Sequence, residues 1–148
     1  MQKNFFCSYI KPVITILIGG FLLVALGWLT YAGISTLFEY LFYRNDPMSM
    51  PQGMVRNGSV LLLCLVFFAL MQLKISNLLK ATFMVAPLTM IIIAIILGFY
   101  THLFVALFIT GIVVIGTVFL IIHYKKPWYF YFATGLSVVM GILYAWPR

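Results

Sequence analysis

Residues 81–123 contain no Asp, Glu, Lys or Arg, and that bare run limits what the chain can fold into more than any other feature. The hydrocarbon core of a bilayer is about 30 Å thick and a helix rises about 1.5 Å per residue, so one crossing takes about 20 apolar residues. The run is therefore twice too long for one span. The polar pair Thr101–His102 sits near its middle and divides it into two, over 81–100 and 103–122, joined by a tight hairpin.

The same ruler divides the rest of the chain. A long apolar segment over 12–38 forms the first span, and at that length it must tilt or protrude. A secretory h-region is about 7–15 residues long, so this segment reads as a retained span although Lys3 and Lys11 flank it. Arg44, Asn45, Asp46, Pro47, Pro51 and Gly53 mark the longest loop. The second span covers 58–73, short enough that the Lys74 stem must snorkel to lengthen it. Lys125, Lys126 and Pro127 close the fourth, and 127–146 supplies the fifth. The expected fold is all-α: a five-span transmembrane bundle in a single membrane domain over 1–148. A four-span alternative would lay one apolar run on the surface, and none has the polar face this requires.

Composition excludes other classes. With 65% apolar and 7% charged residues, the chain is far from the roughly 25% charged content of soluble domains. The net charge of +7 is spread in ones and twos and forms no basic stripe, which argues against nucleic acid as a partner. Charge also orients the bundle. Lys3, Lys11, Lys74, Lys80, Lys125 and Lys126 fall on one side, and Arg44, Arg56 and Arg148 on the other. The positive-inside rule then puts the amino terminus in the cytoplasm and the carboxyl terminus outside. Tyr124, Trp128, Tyr129 and Tyr131 mark the inner interface; Phe42, Tyr43, Tyr100 and Trp146 mark the outer one. A bacterial cytoplasmic membrane is the expected location.

Few residues can carry chemistry. Glu39 is the sole glutamate, near the outer end of the first span, where it can bind a cation or proton, with Arg44 as the competing partner one turn away. Asp46, the other acid, sits in an Asn–Asp–Pro run that reads as a turn or cap. His102 and His123 fall at opposite faces and cannot share a metal. Met48, Met50 and Met54 offer thioethers suited to Cu(I), without a His or Cys to join them. Cys7 and Cys64 lie in different settings with no metal spacing. Gln72, Lys74, Ser76, Asn77 and Lys80 form a polar turn that can meet anionic headgroups or a partner. Pro87 removes a backbone hydrogen bond inside the third span. No nucleophile–base pair, metal set or phosphate loop appears, so an enzyme is not expected, and no cofactor is.

The most patterned feature is steric. Ala133, Ser137, Gly141 and Ala145 recur every four residues and share one helix face, where small side chains let another helix approach closely, within the bundle or between subunits. Gly111 and Gly116, and Gly19, Gly20 and Gly27, add further close-approach points. With Gly111, Gly116, Gly135, Gly141 and Pro147, the last two spans resemble the glycine-punctuated hairpins of small acid-resistance membrane proteins of the HdeD type, a likeness of spacing that transfers no functional residue. The expected function is a non-enzymatic subunit or accessory component of a membrane assembly. Its partners are the bilayer and other membrane subunits or a second copy. The alternative is a small homo-oligomeric transporter or channel with Glu39 as its key residue.

Overall fold

A computed structural model describes residues 2–43 and 51–146, with side chains from residue 9 onward. Among the described residues all regular structure is helical: α1 (Gln2–Phe42), α2 (Gln52–Gln72), α3 (Asn77–Gly98), α4 (Leu103–His123) and α5 (Tyr129–Ala145). Helices are the only open-ended elements that satisfy every backbone polar group in lipid. Four of them, α1 to α4, are long and apolar enough to cross a membrane. The chain is thus a membrane protein with at least four candidate spans. The fifth helix has 17 residues, about 25 Å at the standard rise, which is the short end of what a crossing needs.

Two helix starts differ from those expected. The first helix begins at Gln2 and runs through Pro12, because a proline inside a 41-residue helix deletes only one ladder bond. Helix α2 begins at Gln52, a turn and a half before position 58. Gln52, Arg56 and Asn57 belong to its first turns, since polar side chains are compatible with a helical turn at the headgroup level.

The arrangement is organised around α3, whose span window is 67% buried, against 22% for α1, 11% for α2 and 17% for α4. Helix α3 packs on all four others; α2 packs on α1, α1 on α5, and α5 on α4. The four therefore form an open ring around α3, in the order α2, α1, α5, α4. Among the described residues α2 and α4 form no extensive packed contact that would close the ring. One core cluster joins Ile16 and Val24 of α1 to Val85 of α3 and Phe130 and Ala133 of α5. A second joins Ile92, Ile93 and Ile96 of α3 to Ala106 and Ala145.

Helix ends are secured locally. Ser76 caps α3 by accepting the Leu79 N–H at 3.4 Å, and Lys80 Nζ reaches back to donate to the Met71 carbonyl at 2.8 Å, in the last turn of α2. Helix α4 ends with Lys126 N–H donating to Ile121 O and Lys125 N–H to Ile122 O, both at 3.0 Å. That is a Schellman closure with Lys125 at φ 46°, in the left-handed region where glycine is usual.

Candidate functional site

The small-residue row of α5 faces α3. Ala133 and Ser137 are fully buried and Ala145 nearly so. Ser137 Oγ donates to Ala133 O at 2.8 Å and also lies 3.3 Å from Val85 O on α3, bridging the two helices. At Gly141 the backbones come so close that an added Cβ would lie 2.7 Å from Ile92 Cγ2 and 2.9 Å from Ile92 Cβ. Glycines of α1 grip the other side of α3: a Cβ on Gly19 would meet Thr82 Cγ2 at 2.6 Å, and one on Gly20 would meet Val85 at 3.1 Å. The row is thus a seam inside the bundle. Gly111 and Gly116 on α4 have nothing within 4 Å of an added Cβ, so in this chain nothing approaches them closely.

The remaining sequence candidates do not converge. Glu39 is exposed on the last turn of α1, with its carbonyl accepting the Tyr43 N–H at 2.9 Å. Arg44, Asp46, Met48 and Met50 lie outside the described residues. Met54 is described and is 71% exposed. His102 precedes α4, and His123 closes it, beside the rings of Phe119 and Tyr124. The two histidines stand about 30 Å apart by helix rise. Cys64 is a free, half-buried thiol on α2, while the side chain of Cys7 lies outside the described residues. Among the described residues no three His, Cys, Asp or Glu groups gather as a metal site.

Two concave features lie on either side of α2. The first is an apolar groove of about 410 Å³ where the ring around α3 is open. Its floor is the α3 stripe Met84, Pro87, Leu88 and Ile91, spaced i, i+3, i+4 and i+7; Phe67 and Phe68 of α2 form one wall, and Leu120 and Tyr124 of α4 the other. The second is a smaller polar cleft of about 150 Å³ between α1, α2 and α3, lined by Trp28, Tyr31, Gln52, Arg56 and Ser59 above an apolar base that includes Leu63 and Met90. Its lining reaches the first turn of α2 and the last turn of α3, beside the middle of α1.

The polar cleft is the feature that sequence reading misses. Arg56 reads there as a flanking charge and Trp28 as one more apolar span residue. The available signal was position: Arg56 falls one turn inside a helix, and Trp28 lies mid-span, away from the interfaces that tryptophan favours.

Most serine and threonine hydroxyls of the bundle are turned back on their own helices. Thr15, Thr30, Thr36, Ser59, Thr82, Thr117 and Thr134 each donate to the carbonyl four residues back on their own helix, which satisfies the hydroxyl without a partner helix. With this geometry in view, the chain matches no family model, no curated protein and no solved structure.

Proposed function

We propose that this chain is a non-enzymatic component of a membrane assembly, crossing the bilayer five times with its amino terminus in the cytoplasm and its carboxyl terminus outside. The observation that carries the reading is the open ring: α2 and α4 leave an apolar groove over the buried face of α3. A neighbouring subunit's apolar helix laid against the groove would complete the shell around α3. Helix α4 adds to the fit, because Gly111 and Gly116 leave room for close approach. Alternation of the lysine-bearing connectors supports five crossings, with Trp128 and Trp146 extending the short α5 to both interfaces. The lysine bias matches insertion into a bacterial cytoplasmic membrane.

Photo-crosslinking tests the groove. A crosslinking residue at Phe68 or Leu120 should capture a membrane polypeptide in intact cells, while one at Leu29 or Leu143, both widely exposed, should react mainly with lipid. Capture of lipid alone at all four positions refutes the assembly reading. Purification in mild detergent that recovers only copies of this chain would favour the homo-oligomeric transporter or channel instead. Topology is tested in a variant lacking Cys7 and Cys64. Single cysteines at Lys125 and Arg148 should label from opposite sides, and labelling from one side refutes five crossings.

A further inference from the structure

Among the described residues four buried side-chain polar atoms lack a hydrogen-bond partner, Thr89 Oγ1, Thr110 Oγ1, Trp28 Nε1 and Arg56 Nε, and the two nitrogens share one cleft. Arg56 Nε and Trp28 Nε1 are fully buried atoms without a hydrogen-bond partner, and both residues line the polar cleft between α1, α2 and α3. A guanidinium cannot shed its proton. Leaving one half-buried without a counter-charge is unfavourable in a low-dielectric setting. The usual remedy is an internal carboxylate, and no described carboxylate lines this cleft. Glu39, the only described acid, is exposed two turns beyond Tyr31 on α1.

Of the other polar groups in the cleft, Trp28 shares this one-sidedness. Trp28 Nε1 can only donate, and its ring is held in place by Tyr31, edge-on with centroids 5.7 Å apart, and by Tyr144 at 4.5 Å. The Ser59 hydroxyl gives its proton to Val55 O at 2.9 Å. Arg56 Nη2 would sit 3.6 Å from a Cβ added at Gly98, which places the guanidinium beside the carboxyl end of α3. That end favours a cation, yet none of its carbonyls accepts a hydrogen bond from Arg56 Nε. The cleft is roomy enough for several waters or one small oxyanion.

We propose that this cleft binds one anionic oxygen group, a phosphate or a carboxylate, with Arg56 as the charged donor and Trp28 Nε1 as the neutral second donor. Charge-assisted hydrogen bonds to an oxyanion would satisfy both orphaned atoms at once. The cleft reaches the start of α2, one end of a candidate span, so the group can arrive from either of two sources: the headgroup of an anionic phospholipid or a small anion from water. Nothing in this proposal depends on the assembly reading, which concerns the groove on the other side of α2.

The test uses the full-length protein purified in a neutral detergent. Thermal unfolding is followed while inorganic phosphate is added, with sodium chloride at matched ionic strength as the control. In parallel the protein is placed in nanodiscs of phosphatidylcholine with or without phosphatidylglycerol, and the retained lipid is weighed by native mass spectrometry. Stabilisation by phosphate beyond the chloride control assigns a water-borne anion. Stabilisation and retention with phosphatidylglycerol alone assign a lipid headgroup. In either case Arg56→Gln should abolish the response, and Trp28→Phe, which keeps the ring but removes the donor, should weaken binding about three- to tenfold. Arg56→Lys keeps the charge without the planar fork and should also bind several-fold more weakly. If Arg56→Gln fails to fold, Arg56→Lys and Trp28→Phe decide the matter. Phosphate and phosphatidylglycerol effects equal to their controls overturn the proposal, as does a wild-type response in both Trp28→Phe and Arg56→Lys.

Discussion

Substituting Gly141 by alanine is the sharpest probe of the seam between α3 and α5. The added Cβ would lie 2.7 and 2.9 Å from two atoms of Ile92, with the Thr89 carbonyl oxygen at 3.5 Å. Comfortable carbon contacts are about 3.5–4.0 Å. One or both helices must therefore shift by nearly 1 Å, and Ile92 is fully buried and has nowhere to turn. Overpacking of this kind costs about 1–3 kcal/mol. Alanine also raises helix propensity by about 0.8–1.0 kcal/mol over glycine, which partly offsets the clash. Gly135 lies on the same helix, exposed, with nothing within 4 Å of an added Cβ, so Gly135→Ala carries the propensity gain alone. The difference between the two variants cancels that gain and isolates the clash at about 1–3 kcal/mol. Reversible unfolding in mixed micelles, read by circular dichroism, measures both. A second arm adds Ile92→Ala, which removes Cγ2 at a cost of its own. In the double variant Gly141→Ala should cost at least about 1 kcal/mol less than it does alone. Equal stabilities of Gly141→Ala and Gly135→Ala, within about 0.5 kcal/mol, would refute the close approach of α3 and α5.

Three further substitutions test separate devices. Lys125→Gly should raise stability by about 1 kcal/mol, because an L-residue in the left-handed region costs about 1–2 kcal/mol; a loss in the same micelle assay would count against the Schellman closure of α4. Ser137→Ala should cost less than about 1 kcal/mol, since its bridge to Val85 O is long and interhelical hydrogen bonds in membranes average about 0.6 kcal/mol. Ser137→Leu should cost markedly more by filling the seam. Lys80→Met keeps the apolar stem but loses the ammonium that caps Met71 O; a cost of about 1 kcal/mol is expected, and faster amide exchange should appear in the last turn of α2, with unchanged exchange there refuting the cap.

The parts of the fold legible in the sequence are those set by length and local period. The five apolar segments correspond to five helices, four of them long and apolar enough to cross a bilayer, because a long apolar run without breakers favours helix. The four-residue spacing of Ala133, Ser137, Gly141 and Ala145 shows a shared face because helical geometry is local. What that face touches is not local: its partner stripe on α3, Val85, Thr89 and Ile92, looks like any other apolar run. Two helices begin ahead of the spans read from the sequence, one through a proline and one with a polar turn. Pro12 costs α1 one bond, and Gln52 to Asn57 form an interfacial turn of α2. The polar cleft was illegible for a different reason. Trp28 and Arg56 are joined only by the packing of α1 on α2 and α3, and each has an ordinary explanation in isolation.

The distribution of satisfied and unsatisfied groups then separates structure from function within the bundle. Eight threonine and serine hydroxyls on the helices return their protons to their own helix, which accounts for them by local structure. Thr89 and Thr110 Oγ1 are also buried without a partner, but a neutral hydroxyl left unpaired costs about 1–3 kcal/mol, which a bundle of this burial can absorb. An arginine is different in kind. Its desolvation grows with charge, and in a chain with nine basic residues and two acidic ones internal neutralisation is scarce. A cation whose cleft is lined by no described carboxylate calls for another match, such as water, lipid or a bound anion. That asymmetry gives Arg56 a stronger claim to a ligand than Glu39, which is exposed at a helix end and readily solvated.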